Sequence, residues 1–444
     1  MQNGQKIGLV MLTAIVFSSM VGAGIFSLPQ NMAEVAGVNA ILTAWVITGI
    51  GILFLAGCFL YLSRLKPELD GGIYTYARQG FGDLAGFFSA WGYWLCATIG
   101  VVGYLVVAFA ALGSFVDSPN RVIFGEGNTV WAFIGESIIL WSVHYLVLRG
   151  VKQAAFINLI ATLAKSLPLL AFIVFAYYAF DLPTFNADRA GTTLATPFME
   201  QVKGTMLITL WVFTGIEGAV VLSGRAKRRA DIGRATYIGV ICALVLYIAI
   251  TLLSLGVMSR VDVAGLTNPS MAGLMAQMIG PVGKWVISLG LIVSVLASYL
   301  SWILYSAEVP YTAAQYHAFP RIFAKKNAQG TPYTSLILTS LTVQFCLLMI
   351  LWTGKGYTTL VLISTSMILI PYFLVGAYLV KVAFQEKAGW GIKAVGLGAS
   401  VYGVWLIYAA GIDNLLLSLL LYIPGLAIYY YSRYQQRKLS GKPV

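Results

Sequence analysis

Hydrophobic residues fall in long runs along this chain, and polar residues collect in the short connections between them. The runs predict twelve helices, at 7–28, 40–62, 83–115, 130–149, 153–180, 200–222, 235–257, 283–313, 333–353, 358–384, 392–411 and 414–432. A helix of about 20 apolar residues crosses a hydrocarbon core of roughly 30 Å. Two runs break the pattern. The first contains "SSMVGAGIFSLP" (18–29), where Ser18, Ser19, Gly22 and Gly24 weaken the helix at mid-span and Pro29 follows. The sixth contains "TLWVFTGIEGAVVLSG" (209–224), where Gly215 and Gly218 flank a carboxylate, Glu217.

Backbone N–H and C=O groups cannot be left bare in lipid, so a broken span is tolerated only where protein or a cavity receives them. Glycines such as Gly22 and Gly24 also permit close helix packing, and alone they do not decide between the two readings. The second break, five helices after the first, favours discontinuous helices, since matching interruptions in two halves mark transporters built from repeats. A repeat of five spans, an odd number, must invert when it recurs. Residues 7–180 and 200–384 are expected to form the inverted copies, and 392–432 to supply two appended helices. No residue-level identity links the halves; the expectation rests on the breaks and the span count. An unwound segment offers N–H groups from the following half-helix to a carboxylate, aided by the helix dipole. It offers carbonyls from the preceding half to an ammonium. Such a site suits the zwitterionic head of an amino acid.

Composition supports a single membrane domain over 1–444. Of 444 residues, 59% are hydrophobic and only 10% charged, against about a quarter charged in soluble domains. The first run is too long for a signal-peptide core, and it is read as a retained helix. Alternate connections differ in charge: 21 of the 28 Lys and Arg lie on one side and six on the other. The positive-inside rule puts the richer side and both termini in the cytoplasm. "GRAKRRADIGRA" (224–235) is then an anchor between two spans rather than a nucleic-acid patch. Cys58, Cys96, Cys242 and Cys346 sit inside apolar runs without metal or redox spacing, and are expected to be small buried residues. His144 and His317 lie in different segments, so no metal or other cofactor is expected.

The remaining basic residue, Lys165, lies well inside the fifth run, in "INLIATLAKSLPLLAF". Snorkelling needs a position near a helix end, and an ionisable group within a span is otherwise a functional candidate. Glu217 is either a partner for backbone or a basic group, or a charge that favours cationic substrates and relays gating. Glu308, in "WILYSAEVPY", lies on a path from the site or in a plain ion pair. Trp211, Trp302 and Tyr93 are either packing aromatics or cation–π partners, the latter worth roughly 0.5–2 kcal/mol.

"VGAGIFSLPQNMA" (21–33), "GGIYTYARQGFGDLAGFFSAWGYWL" (71–95), "WVFTGIEGA" (211–219) and "FPRIFAKKNAQGTP" (319–332) resemble the amino acid–polyamine–organocation superfamily over nearly the whole chain. "KPELDGGIYTYA", "HYLVLRGVKQAAFIN" and "GIEGAVVLSGRAKRRADIGRAT" look most like the arginine/ornithine antiporters of its basic amino acid/polyamine group. The resemblance implies an all-α polytopic fold of twelve transmembrane helices, five plus five inverted, with helices one and six discontinuous. It also implies sodium-independent exchange at a bacterial inner membrane. By position it assigns Ala23 and Gly24 to the substrate carboxylate, and the carbonyls of Met20, Trp211 and Thr214 to its α-amino group. Cys96, Ala97 and Trp302 would surround the side chain. Tyr93 would belong to a gate, and Lys165 would take the place of a sodium ion against helices one and eight. A related arginine/agmatine antiporter has Asn where this chain has Val101, so a guanidinium hydrogen bond there is not implied.

The partners expected are arginine and ornithine as substrates and the lipid bilayer, with no nucleic acid; a homodimer stays open. The alternative substrate is another cationic amino acid or its decarboxylated amine, such as lysine/cadaverine or histidine/histamine. A channel would need a continuous polar pore, and no ring-forming filter motif is present. A sensor would need an output domain, and no connection is long enough for one. No enzyme signature is present.

Overall fold

The computed structural model describes residues 8–439 apart from 70–71, 119, 150, 222, 224–225 and 355–356. The elements in order are α1 (Leu9–Met20), α2 (Gly24–Val35), α3 (Val38–Leu65), α4 (Ile73–Phe81), α5 (Asp83–Val116), α6 (Val130–Leu148), α7 (Val151–Tyr178) and α8 (Leu182–Asn186). There follow α9 (Phe198–Phe213), α10 (Gly218–Val221), α11 (Arg229–Val257), α12 (Arg260–Ala264), α13 (Ser270–Ile279), α14 (Pro281–Gln315), α15 (Tyr333–Thr353), α16 (Tyr357–Gln385) and α17 (Trp390–Leu439). No β-strand occurs among the described residues. Nine helical stretches among them are long and apolar enough to cross a membrane, counting α1 and α2 together.

The outside of the bundle is apolar. Leu167 is 69% exposed and Trp352 84%, which water would not tolerate over so wide an area but lipid does. The chain is a multi-pass membrane protein. Its centre is α5, whose apolar window is 89% buried, whereas that of α17 is 17% buried. Lipid tails are as apolar as leucine, so these helices gain little by hiding side chains from one another. Close packing and interhelical hydrogen bonds must hold them. Buried bonds of this kind include Trp94 Nε1 to Thr339 Oγ1 at 3.0 Å, Thr48 with Thr209 at 2.8 Å, and His144 Nδ1 with Ser340 at 2.8 Å.

Two boundaries depart from those the sequence predicts. The first span does not stop at 28: α2 carries Pro29 within it and runs to Val35. Pro29 lies inside α2, past its first turn, and removes one backbone bond, to the Ile25 carbonyl, without ending the helix. The seventh span starts six residues early, at Arg229, so Arg229 and Arg234 belong to α11 rather than to a loop. Within α17 the backbone leaves helical geometry at Gly411, with φ 77° and ψ 161°, where the sequence separates 392–411 from 414–432. Cys58 and Cys96 are buried as expected, but Cys242 is exposed and Cys346 half-buried, both on outward helix faces.

Candidate functional site

The two breaks meet at the centre of the bundle. α1 ends at Met20; Val21 leaves helical geometry, and Gly22 N–H turns back to the Met20 carbonyl at 2.8 Å. α2 then begins at Gly24, with no side chain capping its N-terminus. Of its first N–H groups, which lack acceptors in the preceding turn of a helix, that of Phe26 reaches the Ala23 carbonyl at 3.1 Å. α9 ends at Phe213, Thr214 is extended, and Gly215 takes a φ of 111°. A β-carbon at Gly215 would lie 2.8 Å from Ser19 Oγ, so glycine is required there by conformation and by space. Ser19 Oγ donates to the Gly215 carbonyl at 2.9 Å, joining the breaks directly. At Gly24 a β-carbon would meet Val212 Cγ1 at 2.9 Å and Trp211 Nε1 at 3.0 Å. The start of α2 thus leans on the end of α9.

Of the carbonyls expected to receive an ammonium, those of Met20 and Trp211 each accept one local N–H, from Gly22 at 2.8 Å and Thr214 at 3.1 Å. Trp302 donates its indole N–H to the Ser19 carbonyl at 3.1 Å. Its ring stacks near Tyr93, with centroids 6.3 Å apart, and meets Tyr305 edge-on at 5.6 Å. Trp302 is therefore both an aromatic surface and a strut for the first break. Cys96 and Ala97 are buried on α5, one turn beyond Tyr93. The Cys96 carbonyl accepts from Ser364 of α16 at 2.6 Å, which ties it to that helix. Gly100, a further turn along, approaches the Trp211 ring, and Trp211 lies 6.3 Å from Tyr104.

Lys165 is fully buried. Its Nζ donates to the Ser18 carbonyl at 2.9 Å, Ser18 Oγ at 2.9 Å, the Val21 carbonyl at 2.5 Å and Ser298 Oγ at 3.4 Å. The side chain thus joins α7 to the end of α1 and to α14. Glu217, in the second break, accepts from Tyr372 at 2.6 Å through Oε2, while its Oε1 has no hydrogen-bond partner among the described residues.

Several of these partners escaped the sequence reading. Ser294 and Ser298 bind the carbonyls of Val21 and Ser18, at 3.2 Å and 3.0 Å. Ser294, Ser298 and Ser301 recur at helical spacing in an otherwise apolar span, a stripe that marks one polar face. Tyr305 and Tyr372 had no such signal among so many aromatic residues.

A cavity of about 740 Å³ opens beyond the breaks, lined by Gln30, Val107, Ala110, Asp117, Asn268 and Lys284 among others. On the opposite face, the space between Ser63, Tyr76, Val220 and Arg229 is about 10 Å³. Desolvation raises the Asp117 carboxyl, but hydrogen bonds from the N–H groups of Ile123, Phe124 and Gly125 outweigh it and hold the group below the usual carboxylate range. Asp117 therefore keeps its negative charge at the rim of the open cavity.

An apolar helical bundle broken twice at one level, with an uncapped helix start at the break, defines a membrane transporter of the discontinuous-helix kind. The chain belongs to the amino acid permease family, whose model matches residues 7–434, within the amino acid–polyamine–organocation superfamily. It is 57% identical to the putative arginine/ornithine antiporter of Escherichia coli (strain K12), over 97% of this chain and 92% of that protein. It is 45% identical to the arginine/ornithine antiporter of Pseudomonas aeruginosa, over 100% of this chain and 93% of that protein. It is 42% identical to the arginine/agmatine antiporter of Chlamydia abortus, over 96% of this chain and 90% of that protein.

Proposed function

We propose that this chain is a sodium-independent amino acid antiporter that exchanges arginine for ornithine by alternating access at a bacterial inner membrane. The observation that carries the reading is the meeting of two helix breaks, with the uncapped N-terminus of α2 set against the end of α9. The N–H groups of Ala23 and Gly24 receive the substrate carboxylate, with the α2 dipole favouring the anion. The carbonyls of Met20, Trp211 and Thr214 receive the α-amino group. Cys96, Ala97 and Trp302 enclose the side chain, and Trp302 attracts its cationic end through its ring. Tyr93 forms part of a gate, and the Glu217 charge favours a cationic substrate.

The chain crosses the membrane twelve times in this reading. Residues 7–180 and 200–384 form the inverted repeats, and 392–432 the two appended helices. Both termini lie in the cytoplasm in this reading, so the 740 Å³ cavity faces outward. The Lys165 ammonium, held on oxygens of α1 and α14, stands where a sodium ion would otherwise bind, so transport needs no sodium. Arginine and ornithine carry the same charge, and their exchange is nearly electroneutral.

The names of the arginine/agmatine relatives favour a second reading, arginine against its decarboxylated amine. Counterflow in sodium-free proteoliposomes separates the readings. Vesicles loaded with ornithine should accumulate labelled arginine rapidly, and vesicles loaded with buffer should not. Exchange against internal agmatine but not ornithine would select the second reading, and uptake into empty vesicles would remove antiport altogether.

A further inference from the structure

α2 is held at its far end by a residue that the substrate site does not use. Arg260 opens α12, a short helix at the surface, yet only 5% of the residue is exposed. Its side chain turns inward. Nε donates to Asp188 Oδ2 at 2.5 Å, Nη1 to the Ala33 carbonyl at 2.6 Å, and Nη2 to Thr193 Oγ1. Asp188 also accepts from Thr192 N at 2.9 Å and Thr193 Oγ1 at 2.7 Å. Ala33 lies in the last turn of α2, where carbonyls lack intrahelical partners and a positive charge complements the helix dipole. Gln201, at the start of α9, accepts from Gly37 N at 2.8 Å just beyond that turn. It donates through Nε2 to the Ala190 carbonyl at 3.2 Å. One guanidinium therefore ties the end of α2 to the turn at 188–193, which leads into α9.

We propose that Arg260 is a positioning residue for substrate binding: it clamps the C-terminal end of α2 and so fixes the N-terminus whose N–H groups face the substrate. A planar fork with donors on three sides suits this task, and a lysine ammonium on a flexible stem cannot serve the three acceptors at once. The alternative role is a buried ion pair with Asp188 that only supports the fold. The two roles differ in what removing both partners does. A double change at Arg260 and Asp188 relieves the unpaired buried charge, but it leaves the Ala33 carbonyl without its donor.

This inference rests on the antiport reading only for its transport arm. The test compares wild type, Arg260→Lys and the Asp188→Ala/Arg260→Ala double variant as full chains, using arginine counterflow per folded molecule and hydrogen–deuterium exchange across residues 28–36. In both variants exchange should fall at least about tenfold, and deuterium uptake in α2 should rise. Wild-type exchange, or unchanged protection of α2, in either variant would overturn the clamp. The double variant tests it even if Arg260→Lys folds poorly. An inactive wild type would count against the antiport reading, while the deuterium arm would still decide the clamp.

Discussion

Replacing Lys165 by alanine isolates the link between the first break and the rest of the bundle. The change removes charge-assisted bonds to the Val21 carbonyl at 2.5 Å and the Ser18 carbonyl at 2.9 Å, with weaker ones to two hydroxyls. Hydrogen bonds to charged groups contribute about 1.5–3 kcal/mol each. The carbonyls are not orphaned, however, because Ser294 and Ser298 still reach them at 3.2 Å and 3.0 Å. The loss that remains is that of the charge, about 2–4 kcal/mol of coupling between α7, α14 and the break, which corresponds to roughly thirty- to several-hundred-fold. Exchange in reconstituted vesicles should fall by that order while arginine binding to purified protein changes far less. Lys165→Arg should rescue poorly, because the oxygens close on a compact ammonium and leave no room for a planar fork. Exchange by Lys165→Ala at the wild-type rate in sodium-free buffer would refute the reasoning and leave Lys165 a packing residue.

Two further substitutions probe the side-chain pocket. Trp302→Phe keeps an aromatic face but loses the bond to the Ser19 carbonyl, so arginine affinity measured by calorimetry should drop about three- to tenfold. Trp302→Leu should lose roughly a further three- to thirtyfold, and equal binding by all three proteins would reduce Trp302 to packing. Glu217→Gln keeps the shape beside Tyr372 and removes the charge. At separations of roughly 8–16 Å and an effective dielectric of 20, that charge contributes about 1–2 kcal/mol to a cation. Arginine affinity should fall accordingly and that of a neutral amino acid should not; an equal change in both would assign Glu217 to structure.

The breaks, the buried lysine and the intramembrane carboxylate were legible because each violates the composition of a plain span. Gly215 is a case in point: a glycine beside a carboxylate signalled a break, and the structure gives it a φ no other residue adopts readily. The partners of these residues were less legible, because register between helices is set by packing. Ser298 of α14 receives a bond from Lys165, and nothing in the apolar run around it marks which hydroxyl faces α7. Helix ends were blurred for a similar reason. Pro29 reads as a stop in one dimension, but α2 continues past it to Val35, and its far end meets Arg260, some 230 residues away in sequence. Tyr305 and Tyr372 carry no local signal that separates them from the other tyrosines.

The account stands on the substrate lying against the start of α2, and equilibrium binding of arginine to purified wild type and Gly24→Leu tests this most directly. The leucine side chain would clash with Val212 and Trp211, 2.9–3.0 Å from the β-carbon position, and push the start of α2, with the N–H groups that receive the carboxylate, away from the end of α9. With both proteins monodisperse in sodium-free buffer, wild type should bind arginine and Gly24→Leu should show no measurable binding. Equal affinity in the two would contradict the site.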